Sequence, residues 1–235
     1  MATFLQLCQR VRQECGVAGD GPASVLNQVG VLKKIVDRTQ RAWVDIQASR
    51  PYWKFARNQT TFVLTPGTRE YSIVDDLAVT SLDRFDRDAT FLFEVDGNDE
   101  KALDWITYSE LRARYRTFPD GRPSKIYEGR NRTIGFERTP DKAYTLTLDY
   151  WMTPELLGQN ADEPSLPEHL QDVIVWKSVM MFAGNETATE LYQYAKSMYT
   201  PIYLQLVADQ GEMPPTLKAY PLATGSHTIS SRGFS

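Results

Sequence analysis

The residues with the most chemical potential lie between Asp162 and Lys177, where DEPSLPEHLQDVIVWK sets Asp162, Glu163, Glu168 and Asp172 around His169. Carboxylates beside an imidazole are the raw material of an acid–base pair or a metal site. The spacing argues against both. Glu168, His169 and Asp172 do not form H-E-x-x-H, whose two histidines share one helix face, and the only other histidine, His227, is far downstream. Ser165 and Glu168 instead have the S-x-x-E spacing of a capping box, Pro167 suits a first turn, and acidic side chains favour the positive end of a helix dipole. The stretch is expected to start a helix.

Other candidate chemistry is weaker still. Asp96 to Glu100, DGNDE, offers oxygen ligands but lacks the D-x-D-x-D-G spacing and distal Glu of a calcium loop, and reads as a hairpin turn. Neither G-x-x-x-x-G-K-S/T nor G-x-G-x-x-G occurs, so nucleotide chemistry has no support. A Ser-His-Asp triad through His169 has no nominated nucleophile, and a glycosidase carboxylate pair cannot be singled out by spacing among 30 acidic residues. Cys8 and Cys15 fall on one expected helix, about 10.5 Å apart along its axis, too far for a disulfide. They are expected to be buried thiols in a reducing compartment. No catalytic residue, metal or cofactor is expected.

Charge and aromatic residues point to surfaces. Between Glu110 and Arg138 lie Arg112, Arg114, Arg116, Arg122, Lys125, Arg130, Arg132 and Arg138 against four acidic residues, with Tyr115, Phe118 and Tyr127 interleaved. One reading is a surface for DNA phosphates or an acidic partner, carried by Arg112, Arg114, Arg116, Arg130 and Arg132. The other is a solvated face that keeps sheet edges from aggregating, which gains weight because the charges spread over a helix, a loop and two strands. Tyr192, Tyr194, Tyr199 and Tyr203 crowd one late helix; those off its apolar stripe suit an interface, and ordinary packing within the bundle is the other reading.

The elements that position these residues follow from periodicity. Thr3 and Gln6 have capping-box spacing, and Phe4, Cys8, Val11 and Cys15 share one helix face. Gly16 to Pro22 ends that helix, and a second is expected from about Ser24 to Ser49, closed by Pro51. Thr60 to Trp151 reads as strands: a pair around Pro66-Gly67, a pair around Asp96-Gly97, a short helix from Tyr108 to Tyr115, then a three-stranded meander over KIYEG, TIGFER and AYTLTLDYW. Tyr144, Leu146, Leu148 and Tyr150 alternate cleanly onto one face. A largely apolar, buried helix follows Ser165 and breaks at Gly184-Asn185. The last helix carries Ala188, Leu191, Ala195, Met198, Ile202 and Leu206, with Pro201 expected to kink or restart it. From Gly211 the chain turns to proline and small polar residues, a composition suited to an extended tail.

The expected fold class is α+β: a helical bundle from both ends of the chain, an inserted β-rich region and an extended C-terminal arm. The divisions are residues 1–58, 59–152, 153–210 and 211–235. The 235 residues can bury a real core, and a formal net charge of −4 argues against a general nucleic-acid binder. No stretch approaches a membrane span, and the first residues lack a signal peptide's charged and apolar regions, so no membrane partner and cytoplasmic assembly are expected.

An ordered set of segments resembles the head-to-tail adaptor (portal-associated connector, or head-completion) proteins of tailed bacteriophages. GRPSKIYEGRNRTIGFERTP followed by AYTLTLDYWMTPELLGQNADEPSLPEHLQDVIVWKSVMMFA is similar to that family's meander, acidic Pro-rich loop, L-P-E-x-L and buried helix. FLQLCQRVRQECGVAGDGPASVLNQVG and IVDRTQRAWVDIQASRPYWKF are similar to its first two helices. The resemblance covers roughly residues 3 to 210. It implies a structural virion protein of the neck that forms a dodecameric ring on the portal protein, meets a tail or nozzle protein, and passes genomic DNA through its lumen without sequence-specific binding. It also implies that the C-terminal arm clasps the portal, with Met213, Leu217, Tyr220, Leu222, Ile229 and Phe234 as its anchors. Two other readings remain, a virion-associated cell-wall hydrolase and a DNA-binding accessory protein.

Overall fold

The computed structural model describes residues 1–94 and 99–211. Helix α1 spans Phe4–Glu14, and its Thr3–Gln6 capping box forms in both directions. Phe4, Leu7, Cys8 and Val11 make its buried face. Helix α2 spans Gly30–Ala48 and buries Ile35, Thr39, Ala42, Trp43 and Ile46 at helical spacing. It starts six residues later than periodicity suggests. Asn160 Oδ1 accepts from the Val25 N–H at 2.7 Å and the Ser24 hydroxyl at 3.1 Å, and Asn27 and Gly30 take positive φ, so residues 24–29 form a loop.

The middle of the chain builds two four-stranded sheets. The strands are β1 (Arg57–Val63), β2 (Glu70–Ser72), β3 (Leu82–Glu94), β4 (Glu100–Ala102), β5 (Asp104–Ile106), β6 (Lys125–Glu128), β7 (Thr133–Phe136) and β8 (Tyr144–Met152), with helix α3 (Tyr108–Arg114) between β5 and β6. One sheet has the order β1-β8-β3-β4 and the other β2-β7-β6-β5. The two strands around Pro66-Gly67 therefore do not pair with each other. The expected meander also stops after two strands: β6 and β7 pair, whereas β8 crosses to the other sheet, between β1 and β3. Burying Tyr144, Leu146, Leu148 and Tyr150 between the sheets decides this, since β8 is the one strand with a long unbroken apolar alternation. β3 and β4 pair antiparallel, with Phe93 opposite Glu100; the turn at Asp96-Gly97 lies outside the described residues.

Helix returns with a 3-10 turn at Glu168–Leu170, then α4 (Asp172–Asn185) and α5 (Thr189–Gln210). Helix α4 buries Val173, Ile174, Val175, Trp176, Ser178, Val179, Phe182 and Ala183, nearly its whole circumference. It contacts α1, α2 and α5, and one buried cluster joins residues of all four helices. Each fully buried Leu, Ile or Val contributes about 1.5–3 kcal/mol. Pro201 neither ends nor restarts α5, which runs through it. Arg10 and Asp172 join α1 to the start of α4 by two hydrogen bonds, and Gln171 accepts from the Ala2 N–H at 2.9 Å.

Candidate functional site

The acidic stretch does start the last helical region, but not through its capping box. The Ser165 N–H and hydroxyl reach Glu155 Oε2 at 3.2 and 3.3 Å, while Glu168 turns outward to the N-terminal ammonium at 3.6 Å. The turn begins after Pro167, so Ser165 does not hold the cap position and the box does not close. His169 is exposed and sits 3.8 Å from Asp209 of α5. Among the described residues no three His, Cys, Asp or Glu side chains gather in a way that could hold a metal. The most buried carboxylates have structural partners. Glu137 accepts from the Ser124 N–H and hydroxyl and the Lys125 N–H at 2.6–2.9 Å, and Asp86 pairs with Arg57 at 2.9 Å. Cys8 and Cys15 are free thiols, and burial pushes both up to about 12, which keeps them protonated at neutral pH.

The basic cluster separates into two groups. β5 and β6 are parallel, so α3 must run back along them. Tyr108 at its start lies near Tyr127, and Glu110 two residues on feels the charge of Lys125. Arg112, Arg114 and Arg116 thus lie at the β6-start end, all exposed. Arg130 and Arg132 project from the β6–β7 turn at the opposite end, where Asn131 and Arg132 both take positive φ. Among the described residues none of these five forms a salt bridge, although Arg114 helps, behind the Thr107 hydrogen bonds, to hold Glu110 below the usual carboxylate range. Arg122, by contrast, is structural: it bonds Asp99 Oδ2 at 2.8 Å and the Leu92 carbonyl at 3.1 Å. Arg69 stacks on Phe118 at 3.7 Å from the ring centre.

The tyrosines of α5 divide likewise. Tyr199 and Tyr203 stack at 5.3 Å against the core, and the Tyr203 hydroxyl reaches Ser49 Oγ at 3.1 Å. Tyr194 meets Trp176 edge-on but remains 53% exposed. With Met198 at 37% and Leu204 at 61%, it marks an outer face of α5 that also shows Ser197, Pro201 and Gln205. Glu190, Lys196 and Asp209 are the only charges on this 22-residue helix. A long helix that buries only Ala195 and Leu206 completely and carries so little charge is not built for water alone.

Sequence reasoning missed the junction between the helices and the sheets. Gln47 of α2 is buried; its amide donates to the Glu155 carbonyl at 3.0 Å and accepts from the Glu155 N–H at 2.8 Å. Beside it lie two clefts of about 230 and 420 Å³ that share Gln47, Ala56, Met152 and Pro154. No local pattern could have announced contacts made over 108 residues of sequence. The anchor residues Met213, Leu217, Tyr220, Leu222, Ile229 and Phe234 lie outside the described residues.

These features define a mixed α+β protein whose distinctive parts are uncovered faces and whose buried polar groups serve the fold. The model of the SU10 adaptor protein family matches residues 2–216, and the chain belongs to that family, a family of phage head-to-tail adaptors. It is a structural family. No curated protein matches the chain.

Proposed function

We propose that this protein joins the portal of a tailed phage to its tail: a dodecameric ring in the virion neck, bound above to the portal protein and below to a tail or nozzle protein, with genomic DNA passing through the lumen. The outer face of α5 carries this reading. A ring is closed by heterologous contacts, in which one face of each subunit covers a different face of the next. The exposed Tyr194, Met198 and Leu204 on a helix with three charges suit such burial. The helices of residues 1–58 and 153–210 form the ring-building bundle, residues 59–152 the β-rich insertion, and residues 211–235 the arm. Met213, Leu217, Tyr220, Leu222, Ile229 and Phe234 anchor that arm in the portal, folding on binding. Arg112, Arg114 and Arg116 offer one basic surface to DNA or an acidic partner, and Arg130 and Arg132 a second. Subunits are made and assembled in the host cytoplasm.

Light scattering on purified protein, alone and with purified portal, tests this reading for the full chain and for a chain ending at Gly211. A stoichiometric ring complex that needs residues 212–235 is expected. A subunit that ignores the portal in both forms contradicts it.

A further inference from the structure

The sheet β1-β8-β3-β4 has one edge that is long and undefended. Three of the four outer strands, β2, β4 and β5, are only three residues long. β3 upstream of its pairing with β4 is guarded by Asp83, Arg84, Asp86, Arg87 and Asp88. Charges and shortness are the usual protection of an edge against unwanted pairing. β1 is seven residues long, its one charge is Arg57 at the first position, and after that it reads Asn-Gln-Thr-Thr-Phe-Val.

Its hydrogen-bond phase shows which groups are open. The Leu64 N–H donates to the Tyr144 carbonyl at 2.8 Å, so Phe62, Thr60 and Asn58 also face β8 with their main-chain groups. Gln59, Thr61 and Val63 point theirs away. The Gln59 N–H is taken by the Asn58 side chain at 2.8 Å. Among the described residues, the Gln59 carbonyl and both main-chain groups of Thr61 and Val63 have no hydrogen-bond partner. Asn58, Gln59, Thr61 and Val63 are all exposed.

We propose that residues Leu222–Ser231 of the same chain add to β1 as a further strand and hold the tail against the subunit body. Where the chain leaves the described structure favours this occupant. Gly211 already forms an antiparallel bridge with Trp53, four residues before β1, and Lys54 Nζ binds the Asp209 carbonyl at 2.8 Å. Residues 212–221 span up to about 33 Å when extended, more than the length of β1, so either end of the strand is within reach. Composition agrees as well. Leu222–Ser231, Leu-Ala-Thr-Gly-Ser-His-Thr-Ile-Ser-Ser, has no proline and no Lys, Arg, Asp or Glu, whereas 212–221 holds Glu212, Lys218, Pro214, Pro215 and Pro221. An uncharged edge is matched by the uncharged, proline-free part of the tail, and main-chain hydrogen bonds supply the affinity. If the tail is the portal anchor proposed above, β1 holds this segment until the portal displaces it. That consequence rests on the adaptor reading; the pairing does not.

Residue-resolved hydrogen exchange on the isolated full-length monomer, with no portal present, tests the pairing. The Val63 N–H is expected to exchange ~10-fold or more slowly than an unpaired edge amide. That protection should be lost in Thr228→Pro, which breaks the added strand, and in Thr61→Pro, which blocks the edge at an N–H that makes no bond to β8. β8 amides should be unchanged in both variants. Equal Val63 exchange in the wild type and Thr228→Pro overturns the proposal. So does protection that appears only at concentrations where the protein self-associates, since the strand then comes from another copy. Neither failure bears on portal binding.

Discussion

Replacing Met198 and Leu204 together by glutamate should leave the subunit folded and abolish its assembly. Both side chains are exposed in the single subunit, Leu204 by 61%. Leu, Met and Glu have similar helix propensities, and exposed substitutions usually change stability by no more than about 0.5 kcal/mol. The free subunit should therefore melt at nearly the wild-type temperature. In the proposed ring the balance differs. Covering the exposed 37% of Met198 and 61% of Leu204 contributes about 0.5–1 and about 1–2 kcal/mol, fractions of the 1.5–3 kcal/mol of full burial. A carboxylate at either position loses that contribution and must also be desolvated without a partner. A loss of about 4 kcal/mol per contact corresponds to roughly a thousandfold in affinity. Thermal unfolding and light scattering with portal, run on the same preparations, separate the two effects. Wild-type ring formation by the double variant would refute the assignment of this face; an unfolded variant would refute the claim that it is uncovered.

Four further outcomes follow from particular contacts. Gln47→Ala strips both Glu155 main-chain groups of their partners, and should destabilise the protein by about 2–4 kcal/mol in chemical denaturation. Cys8 and Cys15 should resist alkylation at pH 7–8 in the native state and react readily once unfolded. Because their native values lie above those of the unfolded chain, the native state holds more protons between pH 9 and 12. The stability they contribute is complete below pH 8 and is lost as pH rises towards 12, which alkaline denaturation measures. Neutralising Arg112, Arg114 and Arg116 to glutamine should change the melting temperature little, since all three are exposed and form no salt bridge among the described residues. A large drop would show that this basic surface is structural.

What was legible in the sequence was what the chain decides locally. The Thr3–Gln6 capping box forms because both partners lie within one turn and nothing competes for them. Ser165 and Glu168 have equivalent spacing and fail, because the turn begins after Pro167 and Glu155, ten residues upstream, takes the Ser165 N–H that Glu168 would have accepted from. The alternation of β8 revealed its buried face, but strand pairing depends on which sheet offers a matching edge, and adjacency in sequence suggested the wrong neighbour. The arginines are neighbours in sequence but not in space: a parallel crossover through α3 sends the two halves of the run to opposite ends of a sheet. The loop at residues 24–29 was hidden because Asn160, which holds it, lies more than 130 residues away. The crowding of tyrosines in α5 was visible; that Tyr199 and Tyr203 face the core while Tyr194 faces outward required the packing.

Whether this adaptor forms the proposed ring is decided by the native mass of the complex it makes with purified portal. A single species with twelve adaptor subunits per portal ring is expected, reached without stable intermediates at excess subunit. A free portal beside a monomeric subunit at micromolar concentrations of both would contradict it.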